Sequence, residues 1–282
     1  MEEYRISVKQ IEEFGDYLRR KERAAGTVEK YLRDVRAHAA WLKGDAAGRE
    51  RTAAWKEHLV QAGYAAVTIN SMLSSVHAFF RFMGWEGCNT NYLRIQRRLF
   101  RPAERELTLA EYRRLLGTAS GTGREGLALL METICATGIR VSEVAYITVE
   151  AAQTGRTEVA LKGKIRTILL PVKLCRKLLR FARQQGIAAG AIFRNAQGEP
   201  LSRKTIWWAM KSLCARAGVA WSKVFPHNLR HLFARTFYRA SRDVAQLADL
   251  LGHSSIETTR IYLLSTGEEH ARRLDRLGLI SG

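Results

Sequence analysis

Apolar residues recur at helical spacing through most of the first hundred residues of the chain. The clearest stripe lies along one helix face, at Val28, Tyr31, Leu32, Val35, Ala39 and Leu42. A second stripe of the same kind runs from Ile69 to Met83. Because an apolar stripe has to be covered, these segments are expected to pack against one another. The pattern predicts four helices joined by short loops, a small bundle over residues 1–92.

Capping signals delimit these predicted helices. Ser7 and Gln10 have the spacing of a capping box, and Thr27 is the predicted N-cap of the second helix. Gly63 and Gly84 are predicted to end the third and fourth helices, because glycine readily closes a helix. Two of the four predicted helices therefore have a defined start and two have a defined end.

A second domain is predicted over residues 107–282. The arginine-rich segment 93–106 before it lacks a stripe and is expected to be a linker. Thr108 and Glu111 have capping-box spacing, and residues 157–171 switch to strand-like composition around a Lys-Gly tip, which predicts a hairpin. Helical patterns return at about 172–185, 202–217, 227–240, 243–251, 255–264 and 268–277. The predicted fold class is mainly α with a small antiparallel β-sheet.

The charge of the chain restricts its partners. Its 282 residues include 46 Lys and Arg against 27 Asp and Glu, a formal net charge of +19. Such an excess indicates a polyanionic partner, with nucleic acid as the first candidate and an anionic membrane surface as the second. No apolar run approaches the roughly 20 residues of a spanning helix, and the N-terminus has no signal-peptide pattern. We therefore expect a cytoplasmic protein that is not bound to a membrane.

The cysteines argue against metal and disulfide chemistry. Cys88, Cys135, Cys175 and Cys214 are far apart and form no CxxC pair. Neither structural zinc nor a disulfide framework is expected from such spacing. The chain is therefore expected to occupy a reducing compartment and to hold no metal.

Six residues of the second domain have side chains suited to phosphate chemistry. They are Arg140 in TGIRVSEV, Lys162 at the hairpin tip, His227 and Arg230 in HNLRH, His253 in LLGHSS and Tyr262 in TTRIYLL. Each one alone has an ordinary structural explanation, such as a surface charge, a solubilising lysine, a cap partner or a core tyrosine. Their combination needs a common explanation.

The order and spacing of these six residues resemble the tyrosine recombinases of the phage-integrase family. The tyrosine follows the histidine of LLGH by nine residues, and every position of the family pattern is filled. The first domain is similar to the family's helical core-binding, SAM-like DNA-binding domain, so the resemblance covers nearly the whole chain. The compact two-domain form is most similar to Xer-type recombinases and to integrases of mobile elements.

The resemblance implies that the protein cuts and rejoins DNA without metal, ATP or cofactor. Arg140 and Arg230 would clamp the non-bridging oxygens of a phosphodiester, where charge builds up in the transition state. Tyr262 would attack phosphorus and leave a 3′-phosphotyrosyl link that stores the bond energy.

Proton transfers would accompany both bond changes. His227 is the candidate base for the tyrosine, and Lys162 would protonate the departing 5′-oxygen. Lys164 is a rival for that second role, because the hairpin looks altered in length. His253 would donate a hydrogen bond to the phosphate. His231 points about 100° away from Arg230 on a helix and is expected to be structural.

Residues outside these six, most of them basic, are expected to contact the DNA backbone. The candidates are Thr27, Lys30, Arg33, Lys164, Arg203 and Lys204. The last two follow the predicted N-cap Ser202, at a helix end that suits phosphate binding.

The C-terminal segment predicts an assembly. Its stripe consists of Ala271, Leu274, Leu277 and Ile280. In the resembling family such a tail docks on a neighbouring protomer, which here implies a homotetramer on double-stranded DNA with paired half-sites. A second recombinase or an accessory protein is compatible with this arrangement.

Two other functions fit parts of the pattern. A type IB topoisomerase shares the arginines, lysine and tyrosine and relaxes DNA as a monomer. A non-catalytic DNA-binding homologue would keep the charge but not the six residues. The complete set, the LGH histidine and the compact size favour a recombinase that works through a Holliday junction, in integration, excision or resolution of a DNA element.

Overall fold

A computed structural model describes residues 4–95, 103–161, 164–253, 255–260 and 275–276. The chain divides into two compact units, Met1–Arg97 and Arg98–Gly282. Each unit contains its own cluster of buried apolar residues, as expected for a domain.

The first unit contains a bundle of helices. Its elements are α1 (Val8–Arg20), α2 (Ala25–Leu42), α3 (Arg49–Gln61) and α4 (Ala66–Met83). Helix α4 supplies much of the core, because Leu73, Val76, Phe79 and Phe80 are fully buried. The stripe predicted on α2 also faces the core, through Val28, Leu32, Val35 and Leu42. The predicted four-helix bundle is therefore confirmed.

The helix ends in this unit confirm some capping predictions and correct others. The capping box of Ser7 and Gln10 is present, and Gly84 ends α4 in the left-handed conformation. Thr27 is not the N-cap of α2. That helix begins at Ala25, because alanine favours helix strongly and the N–H of Thr27 already donates to the carbonyl of Ala24. Gly63 lies one residue beyond the C-cap of α3.

The second unit is helical around one hairpin. Its helices are α5 (Leu109–Gly121), α6 (Glu125–Thr137), α7 (Val149–Thr154), α8 (Val172–Gln184), α9 (Arg203–Lys211), α10 (Cys214–Ala217), α11 (Pro226–Ser241), α12 (Val244–Leu251) and α13 (Ile256–Arg260). A 3₁₀ turn, Val141–Tyr146, connects α6 to α7. The predicted capping box of Thr108 and Glu111 opens α5.

The hairpin and one helix need separate description. Strands β1 (Arg156–Leu161) and β2 (Lys164–Leu169) pair antiparallel, with Arg166 opposite Val159, which confirms the predicted sheet. The single helix predicted at 202–217 is instead two, α9 and α10. The regular helix is interrupted between Lys211 and Cys214. The hydroxyl of Ser212 donates to the carbonyl of Ala209 there and competes with the main-chain hydrogen bonds of the helix.

Several sequence predictions fall outside the described residues. They concern Tyr262, the hairpin tip with Lys162, and nearly all of the predicted helix 268–277 with its apolar stripe. Within the part of the chain that is described, no helix is both long enough and apolar enough to cross a membrane.

Candidate active site

Arg140 enters the site from the turn after α6. That helix ends at Gly138, whose φ is +65° and where an added Cβ would lie 2.4 Å from Cδ1 of Phe233. The main-chain N–H and Nη1 of Arg140 donate to the two carboxylate oxygens of Glu143, at 2.8 and 2.9 Å. Its Nη2 donates to the carbonyl of Gly252 at 3.2 Å. The side chain is 41% exposed, so part of the fixed guanidinium is accessible to a ligand.

Arg230 is buried on α11, with 1% exposure. A buried guanidinium is costly unless its donors are satisfied. Nη1 donates to the carbonyl of Gly138 at 2.5 Å, and Nη2 donates to the carbonyl of Leu251 at 2.7 Å. Both acceptors end helices, α6 and α12, so Arg230 joins the two turns that carry Arg140 and His253. These bonds explain a cation at a helix position where packing alone favours leucine.

His253 follows α12 and is held on both ring nitrogens. Nε2 lies 3.0 Å from Nη2 of Arg230, and Nδ1 lies 2.8 Å from Oγ1 of Thr259. Because a guanidinium only donates, Nε2 accepts and the proton of the neutral ring is on Nδ1. Burial foremost, and then the charges of Arg230, Arg140 and Arg166, lower the pKa of His253 to about 4. The ring is therefore neutral at physiological pH.

Glu143 and Arg166 complete this cluster. Glu143 is 2% exposed and pairs with Arg140 on one side and with Nη2 of Arg166, at 3.4 Å, on the other. Nη1 of Arg166 donates to the carbonyl of Leu251, which Arg230 also contacts. Burial foremost lowers the pKa of Arg166 to about 10, which still leaves it charged at neutral pH.

Sequence reasoning assigned no role to Glu143 or Arg166, although both belong to the quoted motifs. Glu143 is the acid of TGIRVSEV, and Arg166 ends LKGKIR. An arginine two residues from Lys164 reads as one more basic residue of a hairpin. The position of Arg166 between three elements, with 13% of its side chain exposed, depends on tertiary structure and has no local signal.

The structure brings together three of the predicted residues directly: Arg140, Arg230 and His253 are linked through the carbonyls of Leu251 and Gly252. His227 lies almost one turn before Arg230 on α11 and is exposed. His231 is buried, with its ring centroid 4.4 Å from that of His227, in agreement with the structural role expected for it.

The structure does not describe the side chains of three predicted residues. Tyr262 and Lys162 lie outside the described residues. Lys164 begins β2, but its side chain also lies outside them. Their roles stay predictions.

The predicted DNA contacts differ in how accessible they are. Arg203 and Lys204 are exposed in the first turn of α9, where Ser202 caps the helix by accepting from the N–H of Thr205. In the first unit Arg33 is 73% exposed, and Thr27 is half-buried.

Lys30 is engaged inside its own domain. Its ammonium group donates to Asp34 at 2.7 Å, to Ser75 Oγ at 2.9 Å and to the carbonyl of Ser71 at 3.0 Å. An ammonium has three protons, so these bonds use its whole donor capacity. Asp34 is only 1% exposed, and Lys30 therefore compensates a buried charge between α2 and α4.

Comparison with known proteins agrees with this arrangement. The sequence pattern of the phage integrase family matches residues 105–269, and that of the phage integrase N-terminal SAM-like domain matches residues 11–87. The chain therefore belongs to the phage integrase family.

Relatives of similar length are known. Tyrosine recombinase XerA of Thermococcus kodakarensis is 27% identical over 278 residues, which cover 96% of this chain and 95% of that protein. Tyrosine recombinase XerD of Mycobacterium tuberculosis is 31% identical, over 86% of this chain and 88% of that protein. The integrase of transposon Tn1549, solved with transposon right end DNA, has the same fold: its TM-score is 0.72 at 16% identity, over 95% of this chain and 99% of that one.

Proposed function

We propose that this protein is a site-specific recombinase that cuts double-stranded DNA with Tyr262 and rejoins the strands through a Holliday junction. The observation that carries the proposal is the joint anchoring of Arg140, Arg230 and His253 by the carbonyls of two helix-ending turns. Membership of the phage integrase family supports the same reaction class.

The proposed role of the arginines is to stabilise the transition state. Arg140 and Arg230 donate hydrogen bonds to the non-bridging oxygens of the phosphodiester, where negative charge grows as the pentacoordinate state forms. Their main-chain anchors hold them before the DNA arrives, so little reorganisation is needed during the reaction. Glu143 aids this role, because it fixes one edge of Arg140 and leaves the rest accessible.

The proposed covalent step exchanges one phosphoester for another. The phenol oxygen of Tyr262 bonds to phosphorus, and the bond from phosphorus to the 5′-oxygen breaks. His227 takes the phenol proton, and Lys162 gives a proton to the departing oxygen. Rejoining reverses these steps with the 5′-hydroxyl of another strand, so the energy of the phosphodiester is conserved in the phosphotyrosyl link.

The DNA surface is proposed to include residues from both units. Arg203 and Lys204 contact phosphates at the start of α9, and Thr27 and Arg33 contact them from α2. Lys164 contacts the backbone near the hairpin. A phosphate contact by Lys30 requires that it exchange one of its bonds within the domain for a phosphate oxygen.

The proposed assembly is a homotetramer on paired half-sites. It is held by the C-terminal stripe of each protomer docking on the next, with a partner recombinase or an accessory protein where the two half-sites differ. Such an assembly works in the cytoplasm, in association with the nucleoid. The full chain on a two-half-site duplex, measured by sedimentation, should give four protomers per pair of duplexes.

Covalent trapping tests the proposed reaction. Nicked duplexes from the DNA that flanks the encoding gene are incubated with the wild-type chain, without added metal, and separated on a denaturing gel. A protein–DNA band is expected with wild type and with Tyr238→Phe, which removes a phenol of the same domain, and not with Tyr262→Phe. A band from Tyr262→Phe would show that the nucleophile is a different residue. Tight binding without any band would favour a DNA-binding role.

A further inference from the structure

Arg166 occupies a junction between three elements of the second unit. It belongs to β2, it pairs with Glu143 of the 3₁₀ turn, and it donates to the carbonyl of Leu251 at the end of α12. Arg140 contacts the same glutamate, and Arg230 contacts the same carbonyl. Arg166 is therefore linked to each of the proposed phosphate-binding arginines through one shared partner. Glu143 links it to Arg140, and the carbonyl of Leu251 links it to Arg230.

Arg166 adds polar contacts to the apolar packing that holds the hairpin against its unit. Among the described residues the hairpin has two strands only, and a two-stranded ribbon is marginally stable alone. One face is covered, since Val159 and Ile168 are buried, whereas Ile165 is 74% and Leu169 59% exposed on the other. Arg166 lies opposite Val159 and is the side chain that connects the ribbon to Glu143 and Leu251.

The turn after α12 is shaped around this arginine. Gly252 has a φ of +62°, and a Cβ there would lie 2.5 Å from Cδ and 2.8 Å from Nη1 of Arg166. Because Gly252 directly precedes His253, the close approach of Arg166 fixes the backbone that carries the histidine. A displacement of Arg166 would thus move the hairpin relative to His253.

The chemistry of the junction favours a positioning role over simple stabilisation. An apolar side chain of similar length would fill a buried site at lower cost than a guanidinium. Arg166 also keeps its buried Nε–H without a hydrogen-bond partner among the described residues, which adds to that cost, whereas its Nη2 has the ion pair with Glu143. An arginine at this position is explained if its role is to orient the hairpin rather than to stabilise the fold.

We propose that Arg166 is a positioning residue that ties the hairpin to the Leu251–His253 turn and thereby sets the leaving-group lysine of the hairpin against the bound phosphate. The inference rests on the proposed recombinase function. Replacing Arg166 leaves Arg140, Arg230 and Tyr262 in the protein, but the hairpin lysine is then no longer held in position relative to the phosphate. The step that suffers is protonation of the 5′-oxygen, not binding of the phosphate.

A substrate that needs no acid isolates this step. In a duplex with sulfur in place of the bridging 5′-oxygen, the leaving group departs as a thiolate and requires little help from a general acid. Single-turnover cleavage with excess protein is compared on the oxygen and sulfur duplexes, for wild type, Arg166→Met and Arg166→Lys. Arg124→Met is the matched control, because Arg124 donates to Ser212 outside the site.

Arg166→Met is expected to slow cleavage of the oxygen duplex about 10- to 100-fold, which is part of what a well-placed general acid contributes. The sulfur duplex should be cleaved within about threefold of the wild-type rate, and Arg166→Lys should be intermediate on oxygen and normal on sulfur. The DNA affinity of the Arg166 variants should equal that of wild type. Arg124→Met should cleave both duplexes at the wild-type rate.

Two results would overturn the inference. Equal slowing of Arg166→Met on both duplexes would mean that Arg166 acts on the phosphate clamp or on folding, and thermal unfolding of Arg166→Met distinguishes these two. An unchanged rate of Arg166→Met on the oxygen duplex would mean that the hairpin lysine is positioned without Arg166. Absence of Tyr262-dependent cleavage by wild type on either duplex would instead refute the proposed function itself.

Discussion

DNA binding should add a proton to His253. In the free protein the pKa of this histidine is about 4, because the ring is partly buried and faces three arginines. A phosphodiester bound by those arginines carries the opposite charge. Two unit charges about 4 Å apart interact by roughly 4 kcal/mol at an effective dielectric constant of 20. That energy corresponds to a rise of about three in pKa, which brings the pKa of the bound histidine near neutrality.

The protonated ring would also change its hydrogen bonding. In the free protein Nε2 accepts from Arg230. Once protonated, Nε2 can donate to a phosphate oxygen, which is the role that the sequence motif predicts for His253. The free structure therefore represents the state before this exchange, and the phosphate itself supplies the driving force for it.

Calorimetry measures the uptake. DNA is titrated into the Tyr262→Phe protein at about pH 6, between the free and bound pKa values, in two buffers of different ionisation enthalpy. Proton uptake on DNA binding should approach one proton per site. Adding His253→Gln to the Tyr262→Phe protein should abolish most of this uptake. Because the complex holds more protons than the free protein, affinity should fall as pH rises through the bound pKa, by up to tenfold per pH unit.

The control is His58→Gln, an exposed histidine of the first unit, which should leave the uptake unchanged. Equal uptake by His253→Gln and the unsubstituted protein would refute the reasoning. It would mean that the phosphate does not raise the pKa of this ring, and that His253 contacts DNA in its neutral form.

Three further predictions concern the lysines, Gly252 and His38. Lys162→Ala should be slow on the oxygen duplex and recover on the sulfur duplex, whereas Lys164→Ala should not show this rescue; the reverse pattern would assign the acid to Lys164. Gly252→Ala should lower the free energy of unfolding by about 1–3 kcal/mol more than Gly186→Ala, since both glycines have positive φ but only the first meets a neighbour; equal losses in denaturant would contradict this. His38 is fully buried with neither ring nitrogen hydrogen-bonded among the described residues, and burial foremost, then His77, lowers its pKa to about 4. The unfolded chain therefore binds the proton first as pH falls below about 6.5, and the first unit should lose about 2 kcal/mol by about pH 5; hydrogen exchange of α2 amides measures this, and an equal loss in His38→Phe would contradict it.

The sequence predicts the parts of this protein that depend on local patterns. Helical stripes, the capping boxes at Ser7 and Thr108 and the hairpin composition are local, and the structure confirms them. Thr27 fails as an N-cap because the helix has already begun at Ala25, and the N–H of Thr27 donates to the carbonyl of Ala24. The bonds of Lys30 to Ser71 and Ser75, more than 40 residues away, cannot be read from its neighbours in sequence.

The candidate site divides in the same way. Arg140, Arg230 and His253 stand out because side-chain identity and spacing carry the signal. Their partners do not stand out, because the atoms that hold them are carbonyls of Gly138, Leu251 and Gly252, and every residue has a carbonyl. Only tertiary structure shows which carbonyls face inward.

These carbonyl anchors affect how the site responds to mutation. Alanine scanning removes side chains and leaves carbonyls in place, so a scan would record little at Leu251 beyond its lost packing, although its main chain binds two arginines. The side chains around the site can therefore change in sequence as long as the backbone conformation of the two turns is retained. A library built to change DNA preference can therefore vary these surroundings widely, provided that it preserves the glycines that orient the main chain. Replacing the amide after Leu251 by an ester, which weakens the carbonyl as an acceptor, would probe what no side-chain substitution reaches.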